Sequence, residues 1–507
     1  MTHEFPERLN IADLFLDARL AEGRGDRPAI LTDDRVWSYA EVAALANRYG
    51  NLLLAAGADP EDRILIALPD GPDYAGALFG ALKIGAVVVM ANPGLAPAEI
   101  GALLEYTRAR IVLAGEGTAA AFAAAAEGSR VTRRVLAVGG EQFARELLAA
   151  SPMLATFPSH ADDPAIWLFS GGTTGRPKAV IQSHRSFAFT TRAYGLGVLG
   201  TTERDVTIAV PKLYFGYATG ANLFFPFAAG GAAVLFPEPA TPEILFAQIR
   251  RHRPTVLVNV PTMVQKMVSH PDAAAADLSS LRIAISAGEA LPVELYERWR
   301  ARFGVELLDG LGTAEMWHIF ISNRPGAVRP GTLGTVVPGF EIKACDEEGR
   351  EVPAGEIGWL RVRGGARAIA YWQHQEKTEQ AFRGEWYVSG DLIAVDAEGF
   401  VTYHGRGDEM LKVGGRWLAP QEVEGCLLEH PGVAEVAVVG VADASGLVKP
   451  IAHVVMKAGD SGTVDELMAF AAERLPPYKR PRALHIVAAL PRTHLGKVDR
   501  GRLRRAL

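Results

Sequence analysis

Short apolar runs alternate with longer stretches of helical periodicity through the first three-quarters of the chain. Helical character is strongest at residues 39–56 and 242–252. The apolar runs predict buried strands at residues 63–68, 86–90, 111–114, 255–260 and 281–285. Alternating strands and helices are typical of an α/β domain with largely parallel sheets. The ligand site of such a domain is expected beyond the carboxyl ends of its strands.

From Gly331 onward, short glycine-punctuated segments such as residues 358–363 and 399–403 replace this pattern. They predict a β-rich subdomain that closes the large domain. We place the domain boundary after Arg406, which gives a large domain of residues 1–406 and a small domain of residues 407–507. The small domain is predicted to be an α+β module, with helices at 420–429 and 464–475 and strands at 435–441, 451–456 and 484–487.

Composition narrows the class of protein. The 507 residues are 49% hydrophobic and 22% charged, as in ordinary globular proteins of more than one domain. A net charge of −6 argues against a general nucleic-acid binder. Two cysteines, Cys345 and Cys426, cannot build a disulfide framework or a zinc site, which fits a reducing compartment.

Two features bear on location. No secretory signal is visible at the N-terminus, so a cytoplasmic location is expected. Residues 215–237 carry no charge, but glycines and Pro226 interrupt them. We therefore predict a buried helix followed by a core strand at 232–236 rather than a membrane span.

Residues 170–178 read S-G-G-T-T-G-R-P-K and follow an apolar run at 165–169. Glycines let the backbone approach phosphate oxygens, and consecutive N–H groups can surround an anion. Arg176 and Lys178 add positive charge, and three hydroxyls add donors. We interpret the segment as a phosphate-binding loop, with a solvated hairpin turn as the alternative. It is not a Walker loop, because Ala179 follows Lys178.

All nine positions of this loop resemble the signature loop of the adenylate-forming superfamily, which includes acyl-CoA synthetases, luciferases and adenylation domains. The resemblance extends over nearly the whole chain and is strongest to benzoate-CoA ligase and related aryl-CoA ligases. It implies an α/β fold, with stacked α/β sheets and a β-rich subdomain in the large domain and a small mobile C-terminal domain. The implied activity is ATP-dependent, AMP-forming ligation of a benzoate-type acid to coenzyme A through an acyl-adenylate, with Mg²⁺ required.

The resemblance implies a nucleotide site built from several motifs. Glu315, in G-L-G-T-A-E, matches the Mg²⁺ ligand. Ala314 replaces the usual threonine, so Thr313 is the candidate for the hydroxyl contact to the α-phosphate. Asp391, in Y-V-S-G-D, matches the carboxylate that accepts hydrogen bonds from both ribose hydroxyls. The candidate ATP-binding residues are Ser170, Gly171, Gly172, Thr173, Thr174, Gly175, Gly288, Glu289, Asp309, Gly310, Thr313, Asp391, Tyr403 and Arg406.

Lys497, in P-R-T-H-L-G-K, matches the lysine that bridges the substrate carboxylate and the α-phosphate, where its charge offsets the repulsion of two anions. The resemblance therefore implies three catalytic residues, Lys178, Glu315 and Lys497. Asp408 matches the hinge about which the small domain turns between two poses. The candidate coenzyme A contacts are Gly414, Gly415, Lys479 and Arg480.

Residues 212–217 and 316–319 resemble the walls of the flat aromatic-acid slot of benzoate-CoA ligases. The candidate aryl-binding residues are Gly216, Tyr217, His318 and Ile319. Gly216 replaces an alanine common in those enzymes, so we expect extra space beside the ring and tolerance of 2-aminobenzoate or a hydroxybenzoate. His318 is a candidate contact for the ring edge or a substituent, and a satisfied core histidine is the alternative.

Two other functions stay open. A stand-alone adenylation enzyme that loads a carrier protein would share the first half-reaction. A non-catalytic nucleotide-binding homologue is the alternative of another class, although it would not need a catalytic lysine.

The expected partners are an aryl acid, ATP and coenzyme A, with neither nucleic acid nor a membrane span, and a homodimer is one open arrangement. The basic helix at residues 500–505 is interpreted as solvated.

Overall fold

The computed structural model describes residues 5–170, 178–407, 409–413, 416–442, 447–457, 459–460, 462–492 and 498–506. These residues form two compact units. The first contains the described residues within Met1–Ser170, Pro177–Ile342 and Val362–Tyr387, and the second contains those within Lys343–Arg361 and Val388–Leu507. The proposed domain boundary between residues 406 and 407 stays a prediction.

The strands of the described chain are short, and most coincide with apolar runs. Their bounds are β1 (Pro28–Leu31), β2 (Val36–Ser38), β3 (Arg63–Ala67), β4 (Val87–Met90), β5 (Ile111–Gly115), β6 (Arg134–Val138), β7 (Pro164–Ser170), β8 (Lys178–Ser183), β9 (Val206–Ala209), β10 (Ala232–Val234), β11 (Val256–Asn259), β12 (Ile283–Ser286), β13 (Leu307–Gly312), β14 (Ile319–Ser322), β15 (Thr335–Val336), β16 (Glu341–Cys345), β17 (Ile357–Arg363), β18 (Ala370–Tyr371), β19 (Phe382–Arg383), β20 (Trp386–Val395), β21 (Val401–Arg406), β22 (Leu411–Val413), β23 (Arg416–Leu418), β24 (Val433–Ala442), β25 (Val448–Met456) and β26 (Ala483–Ile486).

Most of the described helices begin at a proline or follow a serine, threonine or glycine cap, residues that suit the start of a helix. Their bounds are α1 (Ala18–Ala21), α2 (Tyr39–Ala55), α3 (Pro72–Lys83), α4 (Pro97–Thr107), α5 (Glu116–Ala126), α6 (Glu141–Ala149), α7 (His184–Thr190), α8 (Gly216–Thr219), α9 (Phe225–Ala229), α10 (Pro242–His252), α11 (Pro261–Ser269), α12 (Val293–Phe303), α13 (Gln375–Ala381), α14 (Pro420–Leu428), α15 (Val464–Arg474) and α16 (Arg500–Arg505).

The first unit contains two large sheets with parallel centres. Among the described residues, one sheet has the order β15-β14-β13-β12-β11-β9-β10-β1-β2, and it is parallel from β13 to β1. The other has the order β18-β8-β7-β4-β3-β5-β6, and it is parallel from β7 to β6. Strands β11 and β12 are buried at every position, as expected when helices cover both faces of a sheet. The predicted α/β fold class and its five strands are confirmed.

The uncharged stretch at residues 215–237 forms a buried helical segment and a strand, as predicted. The helix is not continuous, because a π-helical segment, Gly220–Phe224, separates α8 from α9. The strand β10 ends at Val234, two residues before the predicted end. Within the part of the chain that the structure describes, no helix is long and apolar enough to cross a membrane.

In the second unit, the sheet β24-β25-β26 packs with α14 and α15 around a common apolar core. The predicted α+β module is therefore present, with each element within a few residues of its predicted bounds. In the basic helix α16, Arg502, Arg504 and Arg505 are exposed, as the solvated interpretation expects, whereas the Arg500 guanidinium lies 2.6 Å from Oε1 of the buried Glu424.

Candidate functional site

The predicted phosphate-binding loop joins two antiparallel strands at the edge of the second large sheet. Ser170 ends β7 and pairs with Lys178, the first residue of β8. The Ser170 hydroxyl is buried and has no hydrogen-bond partner among the described residues. Its position at the carboxyl end of β7 agrees with the expected place of a ligand site in an α/β domain.

Several predicted site residues lie outside the part of the chain that the structure describes. They are Gly171, Gly172, Thr173, Thr174, Gly175, Asp408, Gly414, Gly415 and Lys497.

Beside the loop, a cation, an aromatic ring and a carboxylate contact one another in turn. The Lys178 Nζ atom is 4.2 Å from the centroid of the Tyr371 ring. The Tyr371 hydroxyl donates a 2.8 Å hydrogen bond to Oε1 of Glu315. Glu315 is buried, and its main-chain oxygen accepts a 2.8 Å hydrogen bond from the Ala368 N–H. Tyr371, which sequence reasoning missed, thus links two of the predicted catalytic residues.

The Glu315 carboxylate is a suitable ligand for a Mg²⁺ ion that binds together with a nucleotide. Mg²⁺ at such sites is commonly held by one or two carboxylates, with phosphates and waters completing its shell. Among the described residues there is no group of three or more His, Cys, Asp or Glu side chains that could hold a metal without a ligand. A single carboxylate, oriented by Tyr371, therefore suits a metal that binds together with phosphate oxygens.

The backbone around Glu315 is held by polar contacts and bent at one residue. Gln182 donates a 2.7 Å hydrogen bond from Nε2 to the Ala314 oxygen. Trp317 has a φ of +60° and a ψ of −51°, which is rare for a residue with a large side chain. This bend follows Glu315 directly and precedes His318. The buried Thr313 hydroxyl has no partner among the described residues, so it is available to a ligand.

Asp309 and Ser286 lie side by side on neighbouring parallel strands, β13 and β12. Both side chains are buried, and a weak interaction with each other leaves Asp309 Oδ1 and Ser286 Oγ without a hydrogen bond of good geometry in the described chain. Burial raises the pKa of Asp309 well above its usual range. Polar atoms buried without partners are costly, so a group at the carboxyl end of β12 and β13 is expected to pair with them.

Gly288 and Glu289 follow β12 in an exposed turn. Gly288 has a φ of +90°, which requires glycine there rather than a residue with a side chain. The Glu289 carboxylate accepts hydrogen bonds from the Thr262 N–H at 3.1 Å and from the Thr262 hydroxyl at 2.6 Å. Thr262 lies in the first turn of α11, so Glu289 caps that helix.

The predicted aryl-binding histidine is buried and neutral. Burial lowers the pKa of His318 to about 3. Its Nε2 lies 3.0 Å from the Tyr217 carbonyl oxygen, which only accepts, so Nε2 carries the proton and donates. Nδ1 is then an acceptor, and it has no partner among the described residues. One of the two His318 nitrogens thus has no partner in the described chain, and its contact with the aryl ring stays a prediction.

Aromatic rings surround His318. Its ring centroid lies 4.8 Å from that of Phe225, 5.3 Å from that of Tyr217 and 5.6 Å from that of Tyr194. The Tyr217 hydroxyl is also buried without a partner in the described chain. Tyr194 and Phe225 were not predicted, although Phe225 lies in the uncharged stretch that sequence analysis singled out.

Two glycines set the shape of this aromatic cluster. At Gly216, a Cβ atom would lie 3.1 Å from both methyl groups of Leu168. The space expected beside Gly216 is thus largely filled by Leu168, which corrects the expectation of open room there. At Gly220, a Cβ atom would lie 2.5 Å from Cδ2 of His318. Gly220 therefore lets the His318 ring approach the helix, and Ile319 is buried beside it in β14.

The predicted ribose site lies in the second unit, on β20 and β21. Asp391 is 4% exposed and pairs with Arg406 in the register of the two strands. Its carboxylate accepts hydrogen bonds from the Ser389 hydroxyl and, at 3.2 Å, from the Tyr403 hydroxyl. An Arg406 Nη1 atom is 3.9 Å from Asp391 Oδ1. The structure therefore gives Tyr403 a polar contact with Asp391 that the sequence did not predict.

The predicted hinge is flanked by tight packing. Gly407 lies against Trp359, and a Cβ atom on Gly407 would be 1.8 Å from Cη2 of that indole. Its N–H donates a 2.8 Å hydrogen bond to the Gly390 oxygen. On the other side, Glu409 lies 3.8 Å from the Arg500 guanidinium. A glycine is needed at position 407 because the Trp359 ring lies so close to the backbone, and not because the backbone has a left-handed φ.

The two described candidates for coenzyme A binding have partners in their own unit. Lys479 forms an ion pair with Glu422. Arg480 donates a 2.9 Å hydrogen bond from Nε to the Leu475 oxygen. Both side chains therefore contribute to local structure, and their proposed contact with coenzyme A stays a prediction.

The sequence matches two parts of one enzyme family. Residues 17–372 match AMP-binding enzymes, and residues 422–497 match the C-terminal domain of AMP-binding enzymes. The chain is 39% identical to the benzoate–CoA ligase of Thauera aromatica over 99% of this chain and 97% of that protein.

Solved structures agree with this assignment. The anthranilate CoA ligase AuaEII in complex with anthranoyl-AMP is 37% identical, with a TM-score of 0.95 over 99% of this chain and 98% of that one. The benzoate CoA ligase of Burkholderia xenovorans LB400 is 39% identical, with a TM-score of 0.89 over 98% of this chain and 99% of that one. The predicted resemblance to adenylate-forming enzymes is confirmed, and the chain belongs to the AMP-binding enzyme family.

Proposed function

We propose that the protein is an AMP-forming aryl-CoA ligase. In the first half-reaction, an aryl carboxylate oxygen attacks the α-phosphate of ATP and pyrophosphate leaves, giving an aryl-adenylate. In the second, the thiol of coenzyme A attacks the acyl carbon and AMP leaves. The relationship to benzoate–CoA and anthranilate CoA ligases over essentially the whole chain supports this reaction.

The chain's own residues would act by positioning and by charge. Lys178 and the hydroxyls of Ser170 and Thr313 would contact the phosphates of ATP. Glu315, oriented by Tyr371, would hold Mg²⁺, which supplies positive charge against the phosphates when it is bound. In the second unit, Asp391 would accept hydrogen bonds from the ribose hydroxyls.

The small domain would supply the remaining groups. Lys497 would lie between the carboxylate and the α-phosphate during adenylation, and Asp408 would be the hinge that carries it away afterwards. Gly414, Gly415, Lys479 and Arg480 would contact coenzyme A. These roles rest on the motifs of the family, and each can be tested by a single substitution.

The substrate ring is proposed to carry a hydrogen-bond donor. The observation that supports this is the buried, neutral His318, whose Nδ1 accepts and has no partner in the described chain. The Tyr217 hydroxyl adds a second polar group without a partner in the described chain. An unpaired buried polar group rejects a ligand that cannot satisfy it. We therefore expect 2-aminobenzoate or a hydroxybenzoate to be preferred over benzoate.

We also propose a cytoplasmic location, because ATP and coenzyme A are intracellular substrates and both cysteines are free thiols.

The test is a pyrophosphate-release assay with benzoate, its amino and hydroxy isomers, and short fatty acids, followed by detection of the CoA thioester. The proposal expects release with at least one aryl acid, and a higher kcat/KM for a donor-bearing ring than for benzoate. Release without thioester formation from free coenzyme A, but with transfer to a carrier protein, would favour the adenylation enzyme instead. No release with any acid would favour a non-catalytic nucleotide binder.

A further inference from the structure

The segment that carries Gly216 and Tyr217 is held to the rest of the first unit by hydrogen bonds at several of its residues. We call residues 212–217, which join β9 to α8, the aryl loop. Within this loop, the Phe215 N–H donates a 2.9 Å hydrogen bond to the Lys212 oxygen. At its end, the Tyr217 oxygen accepts from His318. The Thr219 hydroxyl donates to the Leu213 and Phe215 oxygens, and Leu213 is fully buried, so several contacts together hold the loop.

One of these contacts comes from the other large sheet. Asp70 lies between β3 and α3, and its Oδ1 accepts a 2.8 Å hydrogen bond from the Leu213 N–H. Asp70 is 5% exposed, and 143 residues separate it from Leu213. Leu168, also on that sheet, lies beneath Gly216. The aryl loop is thus fastened to the carboxyl ends of strands in a sheet to which it does not belong.

The buried carboxylate of Asp70 is expected to lower the stability of the fold at this position. Lys212 is near enough to influence it, but the ammonium donates to the Phe236 oxygen at 2.8 Å and makes no ion pair with Asp70 in the described part of the chain. A buried carboxylate without a paired cation destabilises a fold. Burial raises the pKa of Asp70 to about 6, consistent with that cost. A charged group retained under these conditions is expected to serve a site.

We propose that Asp70 is a positioning residue for aryl-acid binding, acting through its hydrogen bond to the Leu213 N–H at the base of the aryl loop. This inference rests on the proposed function, because it takes the loop as one wall of the acid site. Within the described part of the chain, Asp70 makes its hydrogen bond to Leu213 and none to a predicted ATP-binding residue. Its loss should therefore affect the acid and spare ATP.

The experiment compares three variants with the wild-type enzyme in steady-state kinetics, using the aryl acid that the wild type converts best. Asp70→Ala removes the acceptor, and Asp70→Asn retains an oxygen for the Leu213 N–H. Asp73→Asn is the matched control, because Asp73 lines the same cavity of about 580 Å³ as Asp70 but bonds the Tyr49 hydroxyl instead. Thermal unfolding of each variant shows whether it is folded.

We expect Asp70→Ala to raise the KM for the aryl acid about tenfold or more, with the KM for ATP changed less than about twofold. Asp70→Asn should recover the acid KM to within about threefold, and Asp73→Asn should match the wild type. A purely structural role would lower the fraction of active enzyme, so kcat would fall and neither KM would move.

Three results would overturn the inference alone: an acid KM in Asp70→Ala within about twofold of the wild type, a parallel rise in the KM for ATP, or an Asp70→Asn variant as impaired as Asp70→Ala. Absence of activity with every aryl acid in the wild type would instead contradict the proposed function, and the inference with it.

Discussion

Two neighbourhoods of the first unit differ in their polar groups: one contains charged groups that have partners, and the other contains neutral polar atoms that have none in the described chain. Beside the phosphate-binding loop, charged groups have been given partners: the Lys178 ammonium lies over the Tyr371 ring, and that residue's hydroxyl holds Glu315. In the aromatic cluster, by contrast, polar atoms are neutral and left without partners, as at His318 Nδ1 and the Tyr217 hydroxyl.

The difference indicates what each neighbourhood binds. A site for phosphates and a metal needs fixed charges before the ligand arrives, since preorganised charge is what stabilises a developing negative charge. A site for a planar acid needs a dry apolar slot with a few polar atoms that select the ring substituent. Asp70 is the exception, since it is a charged carboxylate buried on the neutral side.

The largest effect is expected from Lys497→Ala, which removes the ammonium proposed to bridge the two anionic substrates. Adenylation should fall about a thousandfold, because two anions would meet without the ammonium between them. Thioester formation from supplied aryl-AMP should change little. Arg504→Ala, which removes an exposed cation from the same tail, is the control. Equal loss in the two half-reactions would contradict the role assigned to Lys497.

A second test concerns the buried charge on the neutral side. The pKa of Asp70 is raised by burial from 3.8 to about 6, so the ionised form costs stability once the pH exceeds that range. The cost, at most about 3 kcal/mol, is fully present above pH 6 and is lost as the pH falls toward 3.8.

Asp70→Asn should therefore melt at a higher temperature than the wild type at pH 8, and the gap should narrow at pH 5. Tyr74, Tyr214 and Lys212 interact electrostatically with Asp70, and burial raises the pKa of both tyrosines, so neither tyrosine ionises between pH 5 and pH 8. A gap that is constant with pH would show that ionised Asp70 carries no such cost.

The variant Tyr371→Phe tests the role of the Tyr371 hydroxyl separately from that of its ring. The ring beneath Lys178 is kept, while the hydrogen bond to Glu315 is lost. We expect the Mg²⁺ concentration for half-maximal activity to rise about tenfold, since a group that orients a metal ligand typically contributes that much. Tyr106→Phe is the matched control, because the Tyr106 hydroxyl donates to the Trp372 oxygen at 2.9 Å and not to Glu315. An unchanged Mg²⁺ requirement in Tyr371→Phe would remove Glu315 from the metal site.

The smallest effect is expected from Gly216→Ala. The added methyl would meet Leu168 at 3.1 Å, so either it or the Leu168 side chain must move by a few tenths of an ångström. We expect the ratio of kcat/KM for 2-aminobenzoate to that for benzoate to fall about threefold. The double variant Gly216→Ala with Leu168→Ala should restore the ratio. If Gly216→Ala leaves the ratio unchanged, Gly216 does not set substituent tolerance.

The sequence predicted the elements well because apolar runs of strand length and helical periodicity are local signals. The strand predicted at 111–114 and the helix predicted at 242–252 are both present, with ends that differ by at most one residue. The nucleotide motifs were found for the same reason, since each is a short run of residues with its own chemistry.

Contacts between distant segments could not be predicted in this way. The hydrogen bond from Tyr371 to Glu315 spans 56 residues, and that from Leu213 to Asp70 spans 143. Neither pair leaves a pattern in the sequence around it. The filled space at Gly216 was missed for the same physical reason, because the occupant, Leu168, comes from another sheet.

The most direct test is a crystal structure of the protein with a non-hydrolysable analogue of 2-aminobenzoyl-AMP. The account predicts the phosphate within hydrogen-bond distance of residues 170–178, and the ring beside Tyr217 with its amino group donating to His318 Nδ1. An adenylate bound away from that loop, or a ring that leaves His318 Nδ1 without a partner, would contradict it.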